Sequence, residues 1–287
     1  MKINTLFNQN ACTLSFEVFP PKASGAFAAV QAATQEMAKL APHYMSVTYG
    51  AGGGTSENTV AIASYVQHEL KTTALAHLTC VSSTREQVRE QLAGLKKAGI
   101  ENILALRGDN PEGVSGHYKY ASELIQDIAA FGDFCVGAAC YPEGHTQSAS
   151  QEQDLLYLKK KVDCGVSFLC TQMFFDNNVL YRFLYKAMKI GIDLPVTAGI
   201  MPITNAGQIK RMVELSGATL PPVLLSIVDR FASSPAALYQ AGIAYAISQI
   251  LDLLANDIRG IHLYTMNKPQ VARDILGSLS EVFSCTV

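Results

Sequence analysis

Tryptophan is absent from the 287 residues, and charged side chains make up only 16% of them, below the roughly 25% of an ordinary soluble domain. Lys and Arg total 22 against 24 Asp and Glu, a net charge of -2. They are scattered, so no basic patch marks a nucleic-acid partner. No apolar run approaches the roughly 18 residues of a membrane span, and "MKINTLFNQN" lacks the apolar core of a signal peptide. The cytoplasm is therefore the expected compartment, with no membrane partner. The seven cysteines (Cys12, Cys80, Cys135, Cys140, Cys164, Cys170 and Cys285) are an odd number without a C-x-x-C pair. That spacing supports no disulfide framework, zinc site or iron–sulfur cluster. Cys135 and Cys140 fall on one strand an odd number of residues apart and should face opposite sides. Most of the thiols read as small buried hydrophobes.

Against these absences stand 49% hydrophobic residues, enough for a large core. Short apolar runs alternate with longer amphipathic stretches. Strands are expected at 13–19, 44–50, 74–80, 102–108, 134–141, 167–175, 195–201 and 260–266. Helical patterns such as "TREQVREQLAGLKKAG" and "SQEQDLLYLKKKVDCG" lie between them, ending in Gly99 and Gly165 placed as helix C-caps. Strand–helix alternation argues for a parallel sheet, and eight units match the count of a (β/α)8 barrel, which takes about 250 residues. The longest gap, before the last strand, accommodates helical pieces at 205–215, 222–231 and 235–255. With no Gly/Ser-rich linker, residues 1–287 are expected to form one such barrel domain. An open doubly wound sheet is the alternative.

A barrel of this kind works at the C-terminal ends of its strands. Those ends read Glu17; Thr48 and Tyr49; His77; Arg107, Gly108 and Asp109; Tyr141, Glu143 and His145; Gln172; and Tyr264, Asn267 and Lys268. Any one of them could be a satisfied structural polar group, and His77 alone reads first as a core histidine. Together they suggest a shared pocket. Glu17, in "TLSFEVFPPK", is expected in a cavity walled by Phe16 and Phe19, where desolvation disfavours the ionised form and suits the group to general-acid work. Pro20 and Pro21 end the strand behind it. Asp109, in the turn-rich "RGDNPEG", is a second carboxylate that Arg107 is expected to keep ionised. Two carboxylates also fit glycoside hydrolysis, though without Trp there is little to stack on sugars. "YGAGGGTSENT" is a glycine-rich loop entering a helix, able to cradle phosphate but matching no standard nucleotide motif. In "QDLLYLKKKVDCG", Asp154, Tyr157 and Lys161 share a helix face that by itself reads as solvated. No Ser-His-Asp or Cys-His arrangement has local support.

Taken jointly, "LSFEVFPPK", "VTYGAGGG", "AHLTC", "ILALRGD", "AACYPEGH", "DLLYLKKKVDCG", "TQMFFD", "GIMPI" and "HLYTMNK" resemble the methylenetetrahydrofolate reductase family in its short bacterial form. The resemblance implies a (β/α)8 barrel holding FAD, with a hydride passed from NADH or NADPH through the flavin to the methylene carbon of 5,10-methylenetetrahydrofolate. It implies that Glu17 protonates the folate and opens its five-membered ring, and that Asp109 lies near flavin and pterin. It assigns flavin contacts to Thr48, Tyr49, Ala51, His77, Arg107, Gly108, Asp109, Tyr120, Ala121, Tyr141, His145, Asp154, Tyr157, Lys160 and Lys161. Folate contacts fall to Glu17, Asp109, Gln172, Gln208 and Lys268. Lys268 stands where bacterial members carry Arg, keeping the charge without the bidentate fork, and Met212 stands where a substrate-stacking Phe is expected. No metal is implied, and a homo-oligomer is the expected assembly. Reduction through a partner redox subunit is an alternative donor route. A flavin-free folate methyltransferase or lyase, or a subunit that only holds FAD or a partner, are the competing functions on the same barrel.

Overall fold

Strand β1 (Thr13–Val18) pairs in parallel with β2 (Tyr44–Val47) on one side and β8 (Gly260–Leu263) on the other. That pairing closes the sheet into a barrel running in chain order through β3 (Thr73–Thr79), β4 (Asn102–Leu106), β5 (Cys135–Cys140), β6 (Phe168–Thr171) and β7 (Val196–Ile200). The structure is a computed structural model and describes residues 1–21, 27–49, 56–109, 113 and 116–286. The eight strands lie where the apolar runs predict them, and the open-sheet alternative is excluded by the β1–β8 pairing.

Helices α2 (Phe27–Ala38), α3 (Ser56–Ser64, continuing as a π-helical turn over Tyr65–Glu69), α4 (Arg85–Lys97), α5 (Ala121–Phe131), α6 (Gln151–Asp163) and α7 (Asn177–Lys189) follow β1 to β6 in turn. Their ends have local causes. Thr84 and Gln87 form a reciprocal capping box at the start of α4. Gly99 and Gly165 take φ of 68° and 106° just past α4 and α6, left-handed conformations that glycine adopts without a Cβ penalty. Between β7 and β8 stand α8 (Ala206–Ser216), α9 (Pro222–Phe231) and α10 (Pro235–Ala255), and α11 (Pro269–Thr286) follows β8. By length and composition α10 could cross a membrane, contrary to the sequence expectation. It instead packs against α9 and α11, burying Leu238, Ile243, Ile250 and Leu253.

Period-two alternation sorts each strand between two compartments. Leu14, Phe16 and Val18 join Met45, Val47, Ala76, Leu78, Ile103 and Ala105 in the layer between sheet and helices. Their neighbours point into the barrel. Cys140 belongs to the outer layer and Cys135 to the interior, the opposed facing that their spacing predicts. Gly137 is required opposite Phe168, because a Cβ there would lie 2.4 Å from the Phe168 ring.

The N-terminal stretch forms α1 (Ile3–Gln9), which the apolar pattern does not reveal. It closes the bottom of the barrel, packing Ile3, Leu6 and Phe7 against Tyr44, Leu75, Leu104, Cys135, Phe168 and Cys170. Asn102, fully buried, accepts from the Ile3 amide at 2.8 Å and donates to the Met1 carbonyl at 3.0 Å. Arg259 donates to the Phe7 carbonyl. Phe7 is fully buried, 5.9 Å from the Phe168 ring. Phe7→Ala should therefore cost about 3–5 kcal/mol. A lower urea midpoint with an unchanged slope would register it.

Candidate active site

With its floor plugged by apolar residues, the barrel interior turns polar toward the C-terminal ends of the strands. Ser15 and Glu17 share the inward face of β1, and the register sets Ser15 beside His262 of β8 and Glu17 beside Ser46 of β2. Ser15 Oγ lies 2.7 Å from His262 Nδ1, and Ser46 Oγ lies 3.5 Å from His262 Nε2. The Glu17 carboxylate, 7% exposed, has His77 Nε2 at 3.8 Å and His262 Nε2 at 3.9 Å from Oε2. It makes no hydrogen bond within the described residues. The wall expected from the sequence is corrected here. Phe16 points into the outer layer by strand alternation, and two imidazoles replace the apolar enclosure.

His77 illustrates what burial does in this seam. Desolvation pushes its pKa down to about 4, with the Glu17 charge opposing and His262 reinforcing the shift. The ring is therefore neutral at physiological pH, and its Nε2 is buried without a hydrogen-bond partner. Thr48 Oγ1, at the end of β2, is likewise buried and unpartnered. Such atoms cost free energy unless a partner arrives. Tyr264 packs its ring edge-on at 5.0 Å from His262 and donates to the Thr171 carbonyl at 2.9 Å.

A second group lines the rim over β4, β5 and α6. Gly108 takes φ 86° with Thr79 Cβ 2.9 Å from where its own Cβ would be, so the chain passes close to β3. Arg107 donates from Nε to the Gly108 carbonyl at 3.3 Å and forms no ion pair with Asp109. The guanidinium turns back along its own loop, and Asp109 is exposed. Tyr141 and His145 meet edge-to-face at 4.6 Å. Burial pushes the Tyr141 hydroxyl up to about 12, with Asp154 and Asp109 adding to it. Burial and Arg107 hold the His145 imidazole below its ordinary range. From α6, Asp154 accepts from Ser148 Oγ at 3.0 Å, and Lys161 drives its ammonium onto the Ala139 carbonyl at 2.6 Å. Burial lowers the Lys161 pKa. The helix face that reads as solvated therefore turns two of its charges inward.

Farther out, Tyr120, capping α5, and Tyr157 of α6 stack at 5.9 Å with Lys160 above Tyr157; Ala121 opens α5. Tyr49 sends its hydroxyl to Gln91 of α4, 2.8 Å away, into the layer between sheet and helices. Gln172 follows β6 with Oε1 accepting from the Met173 amide at 2.9 Å. Lys268 is exposed at the start of α11, and Met212 packs into the satellite cluster under α8 to α10. Ala51 and the side chain of Gln208 lie outside the described residues.

The family model for methylenetetrahydrofolate reductase matches residues 2–280. The chain belongs to the methylenetetrahydrofolate reductase family. Membership makes it an oxidoreductase of one-carbon folate metabolism. It is 31% identical to the 5,10-methylenetetrahydrofolate reductases of Pectobacterium carotovorum (94% of this chain, 91% of that one) and Escherichia coli K12 (94% and 92%). It is 33% identical to methylenetetrahydrofolate reductase (NADH) 1 of Arabidopsis thaliana, covering 97% of this chain but 50% of that longer protein. Among solved structures, a Clostridium thermocellum protein described as binding two copies of 5-methyl-5,6,7,8-tetrahydrofolic acid superposes with a TM-score of 0.65 over 99% of this chain and 100% of that one. At 13% identity this likeness speaks for the barrel alone.

The site contains residues the sequence reading does not single out, among them Ser15, Ser46 and His262. The signal was available: Ser15 shares strand parity with Glu17, as His262 does with Tyr264. The His77 geometry carries a pH dependence. Between its ordinary 6.5 and about 4, the unfolded chain binds a proton that the folded one refuses, so stability falls as pH drops through that window. The loss reaches about 3 kcal/mol. His77→Gln should flatten the acid limb of a plot of urea midpoint against pH.

Proposed function

We propose that this family member reduces 5,10-methylenetetrahydrofolate to 5-methyltetrahydrofolate with FAD as the relay and a nicotinamide dinucleotide as donor. The observation that carries the reading is Glu17, a carboxyl without a hydrogen bond among the described residues that sits inside the barrel between two imidazoles. The residues around it fit a flavin. His77 Nε2 and Thr48 Oγ1 are buried polar atoms without partners, and the Gly108 segment, with Thr79 close beneath it, offers backbone with no side chain in the way. When bound, the flavin supplies two-electron transfer between the nicotinamide and the folate methylene carbon.

The chain's own residues would divide the remaining tasks. Thr48, His77, Arg107, Gly108, Tyr141 and His145 would hold the ring system. Asp154, Tyr157, Lys160 and Lys161 on α6, with Tyr120 and Ala121 on α5, would hold the polar tail. Asp109 would stabilise positive charge in the folate. Gln172, Gln208 and Lys268 would take the remainder of the folate. Glu17 would place a proton on the ring nitrogen of the substrate as its bond to the methylene carbon breaks, the bonding pair staying on nitrogen. The carbon left electron-deficient is then the hydride acceptor. The family and the NADH-named plant relatives support the donor class, and the oligomer expected from the resemblance belongs to the same proposal.

The purified chain should be yellow, or become so with FAD. A colourless protein that cannot be reconstituted would sink the reading. Glu17→Gln should cut folate turnover about 10²–10⁴-fold, the contribution of a positioned general acid, while flavin reduction by NADH stays within a few fold. Equal loss of both half-reactions in stopped flow would assign Glu17 a structural role instead.

A further inference from the structure

At Thr171, the last residue of β6, the barrel departs from its own ladder. Strands β6 and β7 run in register through Leu169–Val196 and Cys170–Thr197, and the Leu169 amide donates to the Pro195 carbonyl at 2.8 Å. Parallel rungs repeat along the strand, so continuing this ladder would set the Gly199 amide on the Thr171 carbonyl. The paired register ends before that rung. The Gly199 amide donates to Thr171 Oγ1 at 2.8 Å, and the Thr171 carbonyl accepts from the Tyr264 hydroxyl at 2.9 Å. Tyr264 follows β8, so its side chain passes over β7 to reach β6. Gly199 makes room for that crossing. A Cβ there would lie 2.6 Å from the Thr171 carbonyl oxygen, 2.7 Å from the Tyr264 ring and 2.9 Å from its hydroxyl.

The consequence falls on Gln172. The Thr171 carbonyl and the Gln172 amide belong to one planar peptide unit. Its N–H donates to the Cys140 carbonyl at 2.8 Å on the β5 side, and its C=O is held by Tyr264 from the β8 side. The Cys170 thiol, 4.0 Å from the same oxygen, is a weak third contact. Tying a peptide unit at both ends limits the directions in which the next side chain can leave the backbone. We propose that Tyr264 is a positioning residue for Gln172: its hydroxyl stands in for the missing β7 rung on the Thr171 carbonyl and fixes the peptide unit from which Gln172 meets the folate. This rests on the folate contact proposed above for Gln172. Without the hydroxyl, the carbonyl is free to turn to the Gly199 amide, which completes the ladder and draws Gln172 toward β7.

Tyr264→Phe removes the hydroxyl and keeps the ring against His262. Titration of the FAD-loaded variant with 5-methyltetrahydrofolate should show affinity about tenfold lower, the upper end of what one hydrogen bond contributes. The KM for 5,10-methylenetetrahydrofolate should rise with it, while kcat at saturating folate stays within a few fold. Gln172→Ala should weaken binding at least as much, and adding Tyr264→Phe to it should cost nothing further. Additive losses would overturn the proposal, because Tyr264 would then act on the folate without Gln172. So would a crystal structure of Tyr264→Phe in which the Thr171 carbonyl and Gln172 have not moved. If the unsubstituted protein failed to bind 5-methyltetrahydrofolate, or Gln172→Ala bound it normally, the functional reading of Gln172 would fail instead. That crystal structure would still decide whether Tyr264 sets the peptide unit.

Discussion

A carboxyl group set inside a closed sheet needs polar company, and strand parity decides which company it gets. Glu17 sits on β1 with large apolar neighbours on either side in sequence, but those neighbours occupy the opposite face. The groups that reach it come from β3 and β8, brought within 4 Å by barrel closure. The wider site follows from that one enclosure. The polar seam lies above an apolar floor that α1 helps to make, and the rim is assembled from the loops beyond the strands.

The floor and the seam depend on each other. Small barrels are filled by side chains rather than left hollow. Here, however, the upper inward positions of β1 and β2 carry Ser15, Glu17 and Ser46 instead of branched aliphatics. Ile3, Leu6 and Phe7 supply the missing apolar volume from outside the repeat. They take the lower half of the barrel, leaving the upper half free to hold groups that would be costly in a dry core. The buried Asn102 and the Arg259 guanidinium bind the plug to the barrel through backbone atoms of Met1, Ile3 and Phe7, so the arrangement tolerates little sliding.

The rim is built differently. Its residues come from loops and helix ends, and several are turned by contacts that no local pattern encodes. Lys161 reaches back to a strand carbonyl, Arg107 folds onto its own loop, and Tyr49 leaves for α4. Asn267, with φ 55°, brackets the Phe19 backbone by accepting from its amide at 2.9 Å and donating to its carbonyl at 2.8 Å. It thus ties the exit of β1 to that of β8 and holds the loop beyond Glu17 against the last strand.

Much of this was legible in the chain itself. Apolar runs and their alternation with amphipathic stretches determined the eight strands, the helices between them and the barrel count, because burial on two faces and on one face leaves different periods in a sequence. The glycines past α4 and α6 were readable because only a residue without Cβ takes a left-handed turn cheaply. Nine short segments were enough to suggest the family. What only the tertiary structure decided were the partners of each polar group. His77 and His262 lie 60 and 245 residues from Glu17, and Phe7 lies far from the strands it plugs. Contacts across such separations depend on how the barrel closes and in what register, and a strand's own period says which face a side chain occupies but not what waits opposite it.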